Sequence, residues 1–122
     1  MDEITQLKEA KSFAERWSGR GYEKGDTQAF WVDLLNKVLG MTDAVEKCKF
    51  EYRASNGGFI DAYIPDCGVL IEQKGMHIDL DKPEVRQGRP VTPFQQALAY
   101  AQGFKRINQP RFIVVCNTNS NL

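Results

Sequence analysis

The sequence predicts an α/β fold in which helices flank a mixed four-stranded sheet, in the order α-α-β-β-β-α-β. Three observations support this class. Two runs rich in β-branched and aromatic residues, 59–64 and 69–74, are joined by a four-residue turn containing Pro and Gly. Other segments carry apolar residues at helical spacing. A nearly continuous apolar run at 111–117 is typical of a strand that is buried on both faces.

Two amphipathic helices are predicted before the first strand. Residues 3–17 place apolar side chains at three- and four-residue spacing, and the glycine-containing segment 18–21 is expected to end this helix. A second helix is expected to begin near residue 27 and to stop at Gly40. Its tryptophan, Trp31, is assigned to the core, where the ring would pack on the sheet.

The first three strands are expected to form an antiparallel meander. The first strand is predicted at 44–53, where alternating charges indicate one solvated face, and the turn 56–58 leads into the hairpin. Symmetric pairing about the hairpin turn would set Ile64 opposite Val69. One face of the hairpin would then be apolar: Ile60, Ala62, Val69 and Ile71.

The other face of the hairpin carries the candidate site. Counting outward from the turn, Asp61 lies opposite Glu72, and the two-residue period adds Lys74 to that face while turning Gln73 away. Two opposed carboxylates destabilise a strand pair unless a cation neutralises them, and two hard oxygen ligands suit Mg²⁺. Lys74 could stabilise developing negative charge. The alternative is a structural ion pair between Lys74 and one carboxylate.

A helix is predicted at 92–105, because Thr92 can cap it, Pro93 suits its first turn and Gln95 completes a capping box. Gln96 and Tyr100 lie four residues apart and therefore share one side of the helix. Gln96 could hold a metal-bound water or a phosphate, with Tyr100 bracing it. The residues expected to be buried are Phe94, Ala97, Leu98, Ala101 and Phe104.

Segment 76–91 lacks periodicity and is predicted to be a loop that leaves the edge of the site. Lys82, Arg86 and Arg89 could contact DNA phosphates, although neighbouring acidic residues offset their charge and a solvated loop is the alternative. His77, the single histidine of the chain, is interpreted as a loop residue.

Several blocks resemble known families. Asp61 with Glu72-Gln73-Lys74 resembles the PD-(D/E)XK nuclease motif, and Gln96 with Tyr100 resembles the Gln-x-x-x-Tyr element of one branch of that superfamily. The wider sequence resembles the N-terminal region of MmeI-like restriction–modification proteins over roughly residues 10–117. The blocks that carry this second resemblance are 57–61, 70–74, 79–83 and 92–97.

The resemblance implies a PD-(D/E)XK core and a DNA endonuclease that uses Mg²⁺, or Mn²⁺ as a substitute. Asp61, Glu72 and the backbone carbonyl of Gln73 would hold the metal, and Lys74, Gln96 and Tyr100 would complete the catalytic set. Expected partners are double-stranded DNA, a downstream methyltransferase, a target-recognition region and a second copy for duplex cleavage. The polar tail 118–122 departs from the family pattern, so a fragment of a longer protein is expected. A repair or recombination nuclease of the same fold and a non-catalytic interaction module are the alternatives.

Composition agrees with one domain over residues 1–122, with a helical part at 3–40 and a catalytic core at 44–117. The 16 basic residues equal the 16 acidic ones, so the overall charge does not itself indicate nucleic-acid binding. The three cysteines are widely spaced and are interpreted as reduced thiols rather than a zinc site. No signal peptide or membrane-length apolar run is present in these 122 residues, and a cytoplasmic protein is expected.

Overall fold

A computed structural model describes residues 1–18, 26–75, 77–86 and 88–117. The helices are α1 (Glu3–Trp17), α2 (Thr27–Asp33), α3 (Ala44–Lys47) and α4 (Pro93–Gln102), with a π-helical turn (Leu34–Val38) after α2 and a 3-10 turn (Arg106–Asn108) after α4. The strands are β1 (Lys49–Arg53), β2 (Phe59–Ile64), β3 (Val69–Lys74), β4 (Glu84–Arg86), β5 (Arg89–Val91) and β6 (Phe112–Asn117). No helix among the described residues is long and apolar enough to cross a membrane.

The main sheet has four strands in the order β1-β2-β3-β6. The first three pair antiparallel as a meander, and β3 pairs parallel with β6. A parallel pair needs a crossover connection, and α4 lies within it. The mixed four-stranded sheet with flanking helices that the sequence predicts is therefore confirmed.

The two faces of the sheet support separate core clusters. The first lies under α2 and α3, and its buried members are Trp31, Leu35, Ala44, Cys48, Ala62, Ile64 and Ile71. The second lies under α4, and its buried members are Ala54, Ile60, Tyr63, Leu70, Ala97 and Ala101. Helices on both faces exclude water from the central strands β2 and β3, which carry the candidate site.

The N-terminal elements agree with the prediction except in the second helix and at the start of β1. The second helix begins at Thr27 as expected, but it is α-helical only to Asp33 and continues as the π-helical turn Leu34–Val38. Helix α1 has the predicted bounds, and the Asp2 carboxylate caps it by accepting from the Thr5 amide at 2.7 Å. The expected stop at 18–21 lies outside the described residues, apart from the cap at Ser18. Residues 44–47 form the helical turn α3 rather than the start of a strand, because Ala44 is buried in the first cluster and its carbonyl accepts from the Cys48 amide.

Helix α4 begins as predicted, with Thr92 and Gln95 in a reciprocal capping box, but it ends at Gln102 rather than near residue 105. Its buried stripe is also narrower than predicted. Phe94 and Leu98 are exposed by 45% and 38%, because the helix approaches the sheet through the small residues Ala97 and Ala101. The prediction that Phe94 and Leu98 are core residues is wrong.

Two other predictions are corrected. Strand β6 was expected to be buried on both faces, but it lies at the edge of the sheet and one of its faces is only partly covered. On that face Phe112 is exposed by 58% and Val114 by 37%. Segment 76–91 contains the two-stranded hairpin β4–β5, not an unstructured loop. Gly88, with a φ of 78°, supplies the left-handed backbone conformation at the hairpin turn. The predicted departure at 118–122 lies outside the described residues.

Candidate active site

The β2–β3 hairpin has the predicted register. Ile64 pairs with Val69 and Ala62 with Ile71, and Asp61 and Glu72 follow directly after the last of these pairs. The Gln73 backbone amide donates a hydrogen bond to Asp61 Oδ2 at 2.6 Å. The Asp61 carboxylate is thus held against the backbone of β3, next to Glu72.

The regular alternation of side chains is interrupted at Asp61. Ile60 belongs to the second core cluster, whereas Ala62 belongs to the first, so Ile60 does not share the apolar face predicted for it. On the neighbouring strand β1, Phe50 pairs with Ala62 and Tyr52 pairs with Ile60. Glu51 lies between these two pairs, at the position opposite Asp61. Glu51 has a φ of 48°, unusual for a residue with a side chain. The two irregular positions, Asp61 and Glu51, therefore lie together at the candidate site, and the sequence pattern does not predict either of them.

Glu72 and Lys74 meet in a buried environment. Glu72 is 4% exposed, and its Oε1 lies 3.3 Å from Lys74 Nζ. Its other oxygen, Oε2, is buried and has no hydrogen-bond partner among the described residues. Burial, the largest cause, and the negative charge of Asp61 together raise the pKa of Glu72 to about 7, although Lys74 acts in the opposite direction. A buried carboxylate oxygen without a partner is costly unless a ligand completes it.

Gln96 fixes the position of Lys74. Lys74 Nζ donates to Gln96 Oε1 at 3.0 Å, and Gln96 Nε2 donates to the Tyr100 hydroxyl at 3.1 Å. Tyr100 packs against Gly58, where an added Cβ would lie 2.8 Å from Tyr100 Cε1. A contact of Gln96 with a water or a phosphate, as predicted, stays a prediction; its observed bonds hold the lysine.

Trp31 was missed as a contributor to the site. Its indole Nε1 donates to Gln73 Oε1 at 2.9 Å, on the face of β3 opposite Glu72. The Gln73 side-chain nitrogen is buried without a hydrogen-bond partner among the described residues. Gln73 is therefore fixed through its backbone by Asp61 and through its side chain by Trp31. A buried indole needs an acceptor, but the sequence could not identify one 42 positions away.

One cavity of about 490 Å³ brings most of the predicted residues together: Asp61, Glu72, Gln73, Lys74, Gln96 and Tyr100. Arg86 also lines it, as does Thr27 at the start of α2, which sequence reasoning did not select. Arg89 lines a neighbouring cavity. Lys82 and His77 are exposed and line neither of these two cavities.

The donor set fits a hard cation that is only partly coordinated by side chains. The described residues contain no group of three or more His, Cys, Asp or Glu side chains able to hold a metal. The protein would contribute two carboxylates to the cation, those of Asp61 and Glu72. The cation would provide a partner for Glu72 Oε2, which has none among the described residues. Mg²⁺ is commonly bound by one or two carboxylates together with waters and phosphate oxygens.

Fold and site together define an α/β domain with a carboxylate–lysine centre on its central hairpin. The family model described as MmeI, N-terminal domain, matches residues 8–120. The chain therefore belongs to the family of MmeI N-terminal domains, which is associated with restriction enzymes. Comparisons with curated proteins and with solved structures gave no match.

Proposed function

We propose that this domain is a Mg²⁺-dependent endonuclease of the PD-(D/E)XK type that hydrolyses phosphodiester bonds in DNA. The observation that carries the proposal is the buried Glu72 Oε2, which has no hydrogen-bond partner among the described residues although Oε1 of the same carboxylate is ion-paired to Lys74. The negative charge of Asp61 also acts on this carboxylate. A purely structural ion pair would leave that oxygen desolvated without compensation. Membership of the family of MmeI N-terminal domains supports DNA as the substrate.

Each residue has a role that follows from its contacts. Asp61, Glu72 and the Gln73 carbonyl would hold the cation, which supplies charge neutralisation and a more acidic bound water. Lys74 would place its ammonium against the negative charge that develops on the phosphate in the transition state. Gln96 and Tyr100 are positioning residues, because the Gln96 carbonyl accepts from Lys74 and the Tyr100 hydroxyl accepts from the Gln96 amide.

The proposed partners are supported by the family and by the one candidate centre found among the described residues. In a longer restriction–modification protein, a methyltransferase and a target-recognition region would select the DNA site. One centre of this kind cuts one strand, so duplex cleavage would require a second copy. Restriction is preferred over repair because the matched family is restriction-associated.

Metal binding and cleavage test the proposal. Calorimetric titration should give Mg²⁺ or Mn²⁺ binding to the wild type and none to Asp61→Ala, while Asp43→Ala, which removes an exposed carboxylate outside the cavity, should bind as the wild type does. Plasmid DNA should be nicked with Mg²⁺ but scarcely with Ca²⁺, whose larger and looser shell holds the attacking water less well. Equal metal affinity in the wild type and Asp61→Ala would remove the metal site. Metal binding without nicking would favour a non-catalytic module.

A further inference from the structure

A second cavity, of about 870 Å³, adjoins the candidate active site. The two cavities share four lining residues: Gly58, Arg86, Gln96 and Tyr100. The second adds Arg89, and none of the described residues that line it carries a carboxylate. The combined groove is therefore acidic at the Asp61–Glu72 end and basic at the other, with Arg86 at the junction.

The basic end contains two arginines that face each other. In the β4–β5 hairpin, Arg86 pairs directly with Arg89, so both side chains project from the same face. Like charges in directly opposed positions destabilise a strand pair, and an anion bound between them would remove that cost. The ion pair of Arg86 with Glu84 offsets the repulsion weakly, because its atoms are 3.4 Å apart and both side chains are at least one-third exposed.

A backbone turn that contains two glycines also lines the groove. Asn56, Gly57 and Gly58 line it. A Cβ built on Gly57 would have no atom within 4 Å, so the backbone there is open to a ligand. The lining of the groove thus combines two guanidinium groups with main chain that is accessible at Gly57. That combination suits a phosphate backbone, which needs charge neutralisation and close approach but no base-specific contact.

We propose that Arg86 and Arg89 bind the DNA phosphates that flank the scissile bond. The cleaved strand would then run from the metal-binding carboxylates along the groove towards Arg89. This inference rests on the proposed nuclease function. Arg86, which lines both cavities, contacts the phosphate nearest the cleaved bond, and Arg89 contacts the one beyond it. Lys82, grouped with them on sequence, lies outside the groove and has no part in this path.

The test measures DNA binding without cleavage. A fluorescently labelled duplex is titrated with the 122-residue chain in EDTA at several low salt concentrations, and binding is followed by anisotropy. Each phosphate contact contributes a slope of about −0.9 to the plot of log K against log salt concentration. Arg86→Gln and Arg89→Gln should each reduce the slope by about one contact, and the double variant by about two. Arg106→Gln, which removes an exposed arginine from the 3-10 turn, should keep the wild-type slope.

Unchanged slopes in both groove variants would overturn the inference, as would an equal loss in Arg106→Gln or the absence of wild-type binding at the lowest salt. Thermal melting of each variant separates lost contacts from lost folding. The result is also independent of catalysis. If the slopes fall as expected but the protein never nicks DNA, phosphate binding by the groove is supported and the nuclease function is rejected. If the protein nicks DNA normally but the slopes are unchanged, the nuclease function is supported and phosphate binding by the groove is rejected.

Discussion

Replacing Glu72 by glutamine should remove most of the pH dependence of stability between pH 5 and pH 8. Burial raises the pKa of this carboxyl from 4.5 to about 7 in the folded protein. The folded state therefore binds the proton more tightly than the unfolded state. The stabilisation from the protonated carboxyl is fully present below the unfolded pKa and is lost as the pH rises through the folded pKa.

The size of the effect follows from the shift in pKa. One pKa unit corresponds to about 1.4 kcal/mol, so the whole transition amounts to roughly 3 kcal/mol, of which about 2–3 kcal/mol falls between pH 5 and pH 8. The side chain is almost fully buried, so solvent screening reduces this figure little. Such a loss is a large fraction of the free energy of unfolding of a small domain.

Urea unfolding in EDTA at pH 5, 6, 7 and 8 measures the effect. The free energy of unfolding of the wild type and of a Glu46→Gln control, an exposed glutamate, should fall by about 2–3 kcal/mol over this range. Glu72→Gln should be nearly flat. The change with pH is diagnostic rather than the absolute stability, because the amide also alters the contact with Lys74.

Two outcomes would refute the reasoning. A wild type of constant stability from pH 5 to pH 8 would mean that Glu72 is not a strained, buried carboxylate. A Glu72→Gln variant with the full pH dependence would move the effect to another group. Mg²⁺ added at pH 8 should restore much of the lost stability to the wild type but not to Glu72→Gln, since the cation favours the charged carboxylate.

Three other predictions concern the supporting contacts. Lys74→Ala should abolish cleavage while metal binding and folding persist, and Gln96→Ala should only slow cleavage. Unfolding of Lys74→Ala that an added Glu72→Gln substitution relieves would instead support a structural ion pair, because the unpaired buried charge would then be the cause of the instability. Trp31→Phe should lower the free energy of unfolding by about 1–3 kcal/mol in a denaturant titration, because the side-chain oxygen Oε1 of Gln73 loses its donor. A loss no larger than that of a Phe30→Leu variant would contradict this. Gly58→Ala should reduce the cleavage rate with little change in metal affinity, since the new methyl group displaces the tyrosine that braces the glutamine; an unchanged rate would show that this contact is dispensable.

The sequence by itself determined the elements and pairings that local geometry controls. The two-residue period and the short turn of the β2–β3 hairpin predicted its pairs from Ile64–Val69 to Ala62–Ile71 and placed Lys74 beside Glu72. The start of α4 followed from its capping box, a contact within four residues. The bounds of α1 followed in the same way from helical spacing. In each case the interacting residues are close in the chain or related by a fixed period.

The tertiary structure decided the contacts between distant segments and the extent to which each face is covered. The sequence placed Gln96 beside Tyr100, but only the packing of α4 against β3 brought it to Lys74, and only the packing of α2 brought Trp31 to Gln73. The same packing buries Ala97 and leaves Phe94 exposed, against the hydrophobicity of the two side chains. Burial depends on which elements meet and how closely they approach, and residue periodicity specifies a face without specifying what covers it.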